Sequence, residues 1–303
     1  MTVWVPYEDA AERLGRLPDG LGLVTGDTLT EDALAAVDFW VPSYMGAGPV
    51  VEKYAGRMPS LRVVQTLTAG VDDVLAHVPD GVTLCNARGV HDASTAELTL
   101  GLILASQRGI DDFARAHTTG TWLHGRRPSL ADRTVLLVGY GAVAGAVERR
   151  LAGFEVDVLR AARTPREGVA GMEALPELLP SADVVVLTVP LTEETRGLAD
   201  AAFLARMKDG ALLVNVARGP VVDTDALLGE TTAGRLRAAL DVTDPEPLPP
   251  DHPLWRAPGV LVSPHVGGNS TAFLPRAYRL LSDQLRRYAA GEPLANVVAG
   301  PAI

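Results

Sequence analysis

The stretch Thr134-Val-Leu-Leu-Val-Gly139-Tyr-Gly141-Ala142-Val143-Ala144 decides the architecture of this chain. A run of strand-forming residues ends in two spaced glycines, and a helical pattern with apolar Val143, Ala146, Val147 and Leu151 follows. In such a turn the first glycine allows the tight bend and the second lets a pyrophosphate approach the backbone. The third position, here Ala144, sets how closely helix packs on strand. A helix that begins there points its amides and the positive end of its dipole at an anion. Gly139, Gly141, Ala142 and Val143 are therefore candidate dinucleotide contacts.

Working outward, the same strand-helix rhythm continues in both directions. Val135–Val138, Val156–Leu159, Val184–Thr188, Leu212–Asn215, Ala238–Asp241 and Val260–Val262 form one series of expected strands. Upstream, Leu21–Val24, Phe39–Val41, Val63–Thr66 and Thr83–Cys85 form another, with helical segments such as Glu31–Ala36 between them. Strands alternating with helices predict an α/β protein with doubly wound parallel sheets. Thr95–Gln107 is apolar almost all round, so it is expected to be buried between domains or against a second subunit. A last amphipathic helix is expected from about Thr271 to Ala290.

Bulk properties narrow the function. With 303 residues the chain is long enough for two domains, and 47% hydrophobic with 21% charged residues argues for an ordinary folded core. The formal charge of -10, with acidic and basic residues intermixed, argues against a nucleic-acid surface. The apolar run Leu98–Ala105 is too short to cross a bilayer, and the N-terminus lacks the basic and apolar regions of a signal peptide. The single cysteine, Cys85, rules out an internal disulfide and fits a reducing compartment. A cytoplasmic protein is expected, with no membrane partner, no nucleic-acid partner and no metal.

The second strand of the nucleotide series bears on which dinucleotide is bound. The position 21 residues after Gly139, where an NAD site commonly carries an acid, is Arg160, and Arg163 and Thr164 follow closely. Arginines and a hydroxyl suit a 2′-phosphate, since they supply charge and paired donors. No carboxylate lies between Val158 and Arg166, so NADP is expected, with NAD as the alternative.

Three later segments carry chemistry: Val214-Asn-Val-Ala217-Arg218-Gly-Pro, Leu240-Asp241-Val-Thr-Asp-Pro-Glu246-Pro, and Ser263-Pro-His265-Val-Gly267-Gly. Arginine, glutamate and histidine near strand ends suit proton transfer and the binding of a carboxylate beside a carbonyl. Histidine suits the proton, a nearby carboxylate favours the imidazolium, and an arginine fork can hold the carboxylate and polarise the carbonyl.

Together with the glycine turn, Gln65-Thr-Leu-Thr-Ala69-Gly70-Val71-Asp72, Cys85-Asn86 and Thr95-Ala-Glu97, these segments resemble the D-isomer-specific 2-hydroxyacid dehydrogenases, including glyoxylate/hydroxypyruvate reductases and phosphoglycerate dehydrogenases. The resemblance implies a Rossmann dinucleotide-binding domain, residues 97–269, inserted in a flavodoxin-like substrate domain, residues 1–96 with 270–303. It implies reduction of a small 2-keto acid to a D-2-hydroxy acid, with Arg218, Glu246 and His265 as the catalytic set. Ala69, Gly70 and Val71 become substrate contacts. Thr188, Val189, Pro190, Ala217, Asp241 and Gly267 join the cofactor set, with Asp241 meeting the nicotinamide amide. The resemblance also implies a homodimer formed through the Leu98–Leu104 region. Other histidines, His77, His91, His117, His124 and His252, are read as structural. Val41–Gly46 and Trp255 are expected to shape the site for the substrate side chain.

Two other functions share the scaffold. A nucleotide-sensing corepressor would not need the Arg, Glu and His set, and a formate dehydrogenase would lack Glu246 beside the histidine. Phosphoglycerate is a further substrate candidate, though the chain carries no regulatory extension after Ile303.

Overall fold

A computed structural model describes residues 1–301. The chain separates into two compact units, Met1–His91 with the segment from Thr271 onward, and Asp92–Ser270.

The first unit carries five parallel strands: β1 (Thr2–Val5), β2 (Gly22–Thr25), β3 (Val37–Trp40), β4 (Val63–Gln65) and β5 (Thr83–Cys85). They lie in the order β2-β1-β3-β4-β5, the flavodoxin-like arrangement. Strand β1 was not expected from the sequence; Thr2-Val-Trp-Val is short and lies at the terminus, yet Val3, Trp4 and Val5 are buried. The helix Phe273–Ala290 returns to this unit and packs Ala277, Leu281 and Leu285 against Val3, Phe39 and Val63.

The second unit carries seven strands: β6 (Thr134–Val138), β7 (Asp157–Ala162), β8 (Ala170–Gly171), β9 (Val184–Leu187), β10 (Leu212–Asn215), β11 (Arg237–Leu240) and β12 (Val260–Val262). All are parallel, in the order β12-β11-β10-β9-β6-β7-β8. A strand β13 (Val297–Ala299) runs antiparallel to β5 and completes the first sheet.

The central strands are apolar because both faces are covered. Leu136, Val185 and Leu213 face one core, while Val135, Leu137, Val184 and Val186 face the other. Full burial of each such side chain contributes about 1.5–3 kcal/mol. The helix Asp92–Arg108 explains its own apolarity, since Ala96, Leu100, Leu102 and Ile103 pack into the second core. It also starts three residues before the expected Thr95.

The order of the second sheet reverses between β6 and β9, and ligands of such sheets bind beyond the carboxyl ends of strands at that point. The glycine turn, Thr188 and Arg218 all follow strand ends of this kind. No helix among the described residues is long and apolar enough to cross a membrane.

Candidate active site

The turn after β6 brings two expected cofactor segments together. Gly139 has φ +91, and a Cβ there would lie 2.7 Å from the Val189 amide nitrogen and 2.9 Å from the Thr188 carbonyl carbon. Only glycine fits. The Thr188 amide donates to Val138 O at 2.9 Å. Gly141 differs: its φ is -101, and a Cβ there would meet nothing within 4 Å. Neither the backbone nor the protein's own packing requires glycine at 141, so its small size leaves open room at the head of the helix Ala142–Leu151. Ala144 is fully buried where helix meets sheet. An open cradle beside helix N-terminal amides fits a dinucleotide pyrophosphate.

Strand β7 runs to Ala162, three residues beyond the expected end at Leu159. Arg160 therefore lies within the strand, in register with Leu137, and not at its tip. Its Nε donates to Glu148 Oε1 and Oε2 at 3.1 and 3.0 Å, and its Nη2 also bonds Glu148. Arg160, expected to meet a 2′-phosphate, is thus paired with a carboxylate that the local sequence lacks and that the fold supplies from the helix Ala142–Leu151. Glu148 in turn holds the Arg160 charge firmly, and Arg160 lowers the pKa of Glu148. Arg163 and Thr164 follow the true strand end and are exposed.

The ends of β10, β11 and β12 assemble the catalytic candidates. His265 Nδ1 lies 2.6 Å from Glu246 Oε1, and both side chains are partly exposed. The hydrogen bond to Glu246 raises the His265 pKa, against burial and the Arg218 charge, which lower it. The same bond lowers the pKa of Glu246, with burial opposing. The Arg218 charge acts on both groups, lowering each pKa.

Each group is fixed by its strand end. Asn215 closes β10 and bridges the turn: its Oδ1 accepts from Ala217 N at 3.0 Å and its Nδ2 donates to Arg218 O at 3.0 Å. Arg218 Nη1 donates to Ala217 O at 2.8 Å. A Cβ on Gly219 would lie 1.9 Å from Thr243 O, so glycine is what lets the Arg218 turn nest against the loop that carries Glu246.

Asp241 ends β11 and organises the histidine loop. It accepts from Ser263 Oγ at 2.6 Å, Val266 N at 2.9 Å and Gly267 N at 2.8 Å. His265 takes φ +52, a strained value for a non-glycine residue, and its amide donates to Asp241 O at 2.8 Å. Asp241, expected to meet the nicotinamide amide, is thus buried beneath His265 and holds its backbone.

In the first unit, Ala69, Gly70 and Val71 form the turn after β4. Asn86 Nδ2 donates to Ala69 O at 2.8 Å, Thr68 Oγ1 to Gly70 O at 2.7 Å, and Ala87 N to Thr68 O at 2.8 Å. Three successive carbonyls are thereby engaged. Tyr44 of the Val41–Gly46 loop stacks on His91 and Phe273, with ring centroids 5.5 and 4.2 Å away. Trp255 lies in the turn Pro253–Trp255 that enters β12, its Nε1 donating to Pro249 O at 2.8 Å. That is the end of β12 opposite His265, which corrects the expectation that Trp255 shapes the substrate site.

Sequence reasoning missed Asn215, Ser263, Tyr140, Glu148 and Arg166. A polar residue closing an apolar strand was the available signal for Asn215; the others become visible only when distant segments meet.

Comparisons with known proteins bear on the family and the fold. Residues 100–267 match the family model described as "D-isomer specific 2-hydroxyacid dehydrogenase, NAD binding domain". A glyoxylate reductase of Thermofilum pendens is 37% identical over 251 residues, covering 77% of this chain and 74% of its own length. A D-isomer specific 2-hydroxyacid dehydrogenase from Xanthobacter autotrophicus, solved with NADPH and MES, aligns with a TM-score of 0.82 at 34% identity, covering 98% of this chain and 97% of that one. An NADPH-dependent glyoxylate/hydroxypyruvate reductase from Sinorhizobium meliloti, solved with NADP and sulfate, aligns with a TM-score of 0.83 at 27% identity and 98% coverage of both chains. The chain belongs to the D-isomer specific 2-hydroxyacid dehydrogenase family, whose members are nicotinamide-dependent oxidoreductases.

Proposed function

We propose that this enzyme reduces a small 2-keto acid of the glyoxylate or hydroxypyruvate kind to the D-2-hydroxy acid, with NADPH as the reductant. The observation that carries the proposal is the 2.6 Å contact of His265 Nδ1 with Glu246, beside Arg218. With Nδ1 turned to Glu246, His265 keeps Nε2 as the proton donor for the substrate carbonyl oxygen. The carboxylate stabilises the imidazolium before the proton leaves, which favours the charged donor. Arg218 holds the substrate carboxylate and polarises the carbonyl, which develops negative charge during reduction. The nicotinamide, when bound, supplies the hydride. Asp241 acts through His265 by fixing its loop.

The Ala69–Val71 amides provide further donors for a carboxylate, a role supported by the engagement of the neighbouring carbonyls. Gly139, Gly141, Ala142 and Val143 would hold the pyrophosphate, while Thr188, Val189, Pro190, Ala217 and Gly267 would line the rest of the dinucleotide site. Arg163 and Thr164 would read the 2′-phosphate. We also propose a cytoplasmic homodimer. Its apolar contact is sought not in Leu98–Leu104, which the protein's own core largely covers, but in the segment of Ile110, Phe113, Trp122 and Leu123, all exposed.

The test is oxidation of NADPH and NADH with glyoxylate, hydroxypyruvate, pyruvate and phenylpyruvate. NADPH turnover with the two smaller, polar acids is expected, and His265→Ala should lower kcat by about 10²–10⁴ with little change in cofactor binding. No turnover of any 2-keto acid by a cofactor-binding protein would reject the proposal.

A further inference from the structure

Arg166 is exposed, yet three contacts hold it at the glycine turn. Its Nη2 donates to the carbonyl oxygen of Tyr140, the residue between the two glycines, at 2.8 Å. Its Nη1 donates to Thr164 O at 3.3 Å, and its guanidinium stands 5.3 Å from the centroid of the Tyr140 ring. The backbone is fixed as well: Arg166 N donates to Val169 O at 3.0 Å, and Val169 N returns the bond to Arg166 O at 2.8 Å. Among the described residues Arg166 has no ion pair. Ordering a long exposed side chain costs rotamer freedom that surface contacts repay weakly. A positive group ordered in this way, without a carboxylate, is preorganised for an external anion.

Arg160 has the opposite arrangement. It stands 5.8 Å from the same Tyr140 ring, but Glu148 takes its Nε and Nη2, and Tyr140 donates its hydroxyl to the same carboxylate. One tyrosine therefore touches two arginines, one neutralised within the fold and one left charged at the loop that follows β7.

We propose that Arg166, positioned by Tyr140, is a second reader of the cofactor's 2′-phosphate beside Arg163, and that Glu148 withdraws Arg160 from that task. The inference rests on the reading that the glycine turn binds a dinucleotide. A dianionic phosphate beyond the end of β7 gains paired donors from a guanidinium already in place. The carboxylate of Glu148 also offsets the charge of Arg160, which shares the Tyr140 ring with Arg166.

The test compares binding of 2′,5′-ADP and AMP by calorimetry, which needs no turnover. The wild type should prefer 2′,5′-ADP. Arg166→Gln should cut that preference about tenfold, Arg166→Lys should retain part of it, and Arg160→Gln should change it less than about twofold. A preference lost in Arg163→Gln but intact in Arg166→Gln overturns this inference alone. So does a loss in Arg160→Gln as large as that in Arg166→Gln. A wild type without preference for 2′,5′-ADP would instead remove the NADPH reading on which the inference stands.

Discussion

At the scale of single residues, the proposed chemistry rests on the His265–Glu246 pair, and its pH dependence has a definite sign. Glu246 raises the His265 pKa, so this stabilisation is whole below the ordinary histidine value of about 6.5 and fades as pH rises through the raised value. The Glu246 pKa is lowered, so its contribution is whole above the ordinary glutamate value of about 4.3 and fades on acidification through the lowered one. Between these limits both members of the pair favour their charged forms. Replacing Glu246 by Gln removes the carboxylate that favours the imidazolium. The alkaline limb of kcat/KM for keto-acid reduction should then move to lower pH, while cofactor affinity changes little. A pH–rate profile measures this, and an unmoved limb would separate Glu246 from the proton donor.

At the scale of elements, the glycine turn joins two demands that a matched pair of substitutions can separate. Gly139→Ala places a methyl group 2.7 Å from the Val189 amide at φ +91, and should destabilise the fold by about 1–3 kcal/mol. Gly141→Ala meets no protein atom and keeps an ordinary φ, so stability should stay within about 0.5 kcal/mol. Dinucleotide binding should nevertheless weaken, because the added methyl fills the open cradle. Thermal unfolding and cofactor titration on the two variants distinguish these outcomes. Equal cofactor affinity in Gly141→Ala would mean that the cradle serves no ligand. The same close-approach logic applies at Gly219, where a missing side chain lets the Arg218 turn reach the loop of Glu246.

At the scale of the whole molecule, two sheets of different strand order each carry their own apolar cores. The helix Asp92–Arg108 spends its apolar surface within the second unit, which leaves the exposed large side chains elsewhere. Trp122 is 92% exposed, an unusual position for an indole on a monomer's surface. If that segment forms the proposed contact between copies, Trp122→Glu should shift the protein from dimer to monomer. Light scattering coupled to size-exclusion chromatography reads this directly. A wild type that runs as a monomer, or a variant that stays dimeric, would place the contact elsewhere or remove it.

The order of strands and helices, the glycine turn and the candidate Arg218, Glu246 and His265 were legible in the sequence. Their signals are local: strand patterning repeats every two residues, helix patterning every three to four, and a phosphate turn needs its glycines at fixed spacing. Strand β1 and the last residues of β7 escaped because short segments carry too little pattern. What only the tertiary structure decided is which distant groups meet. Glu148 reached Arg160 from another element and neutralised it, Arg166 came to the glycine turn, Asp241 took the backbone under His265, and Trp255 fell at the far end of β12. A side chain's type states what it can bind; its partners are set by packing between segments far apart in the chain, and those partners determine its charge, its orientation and its use.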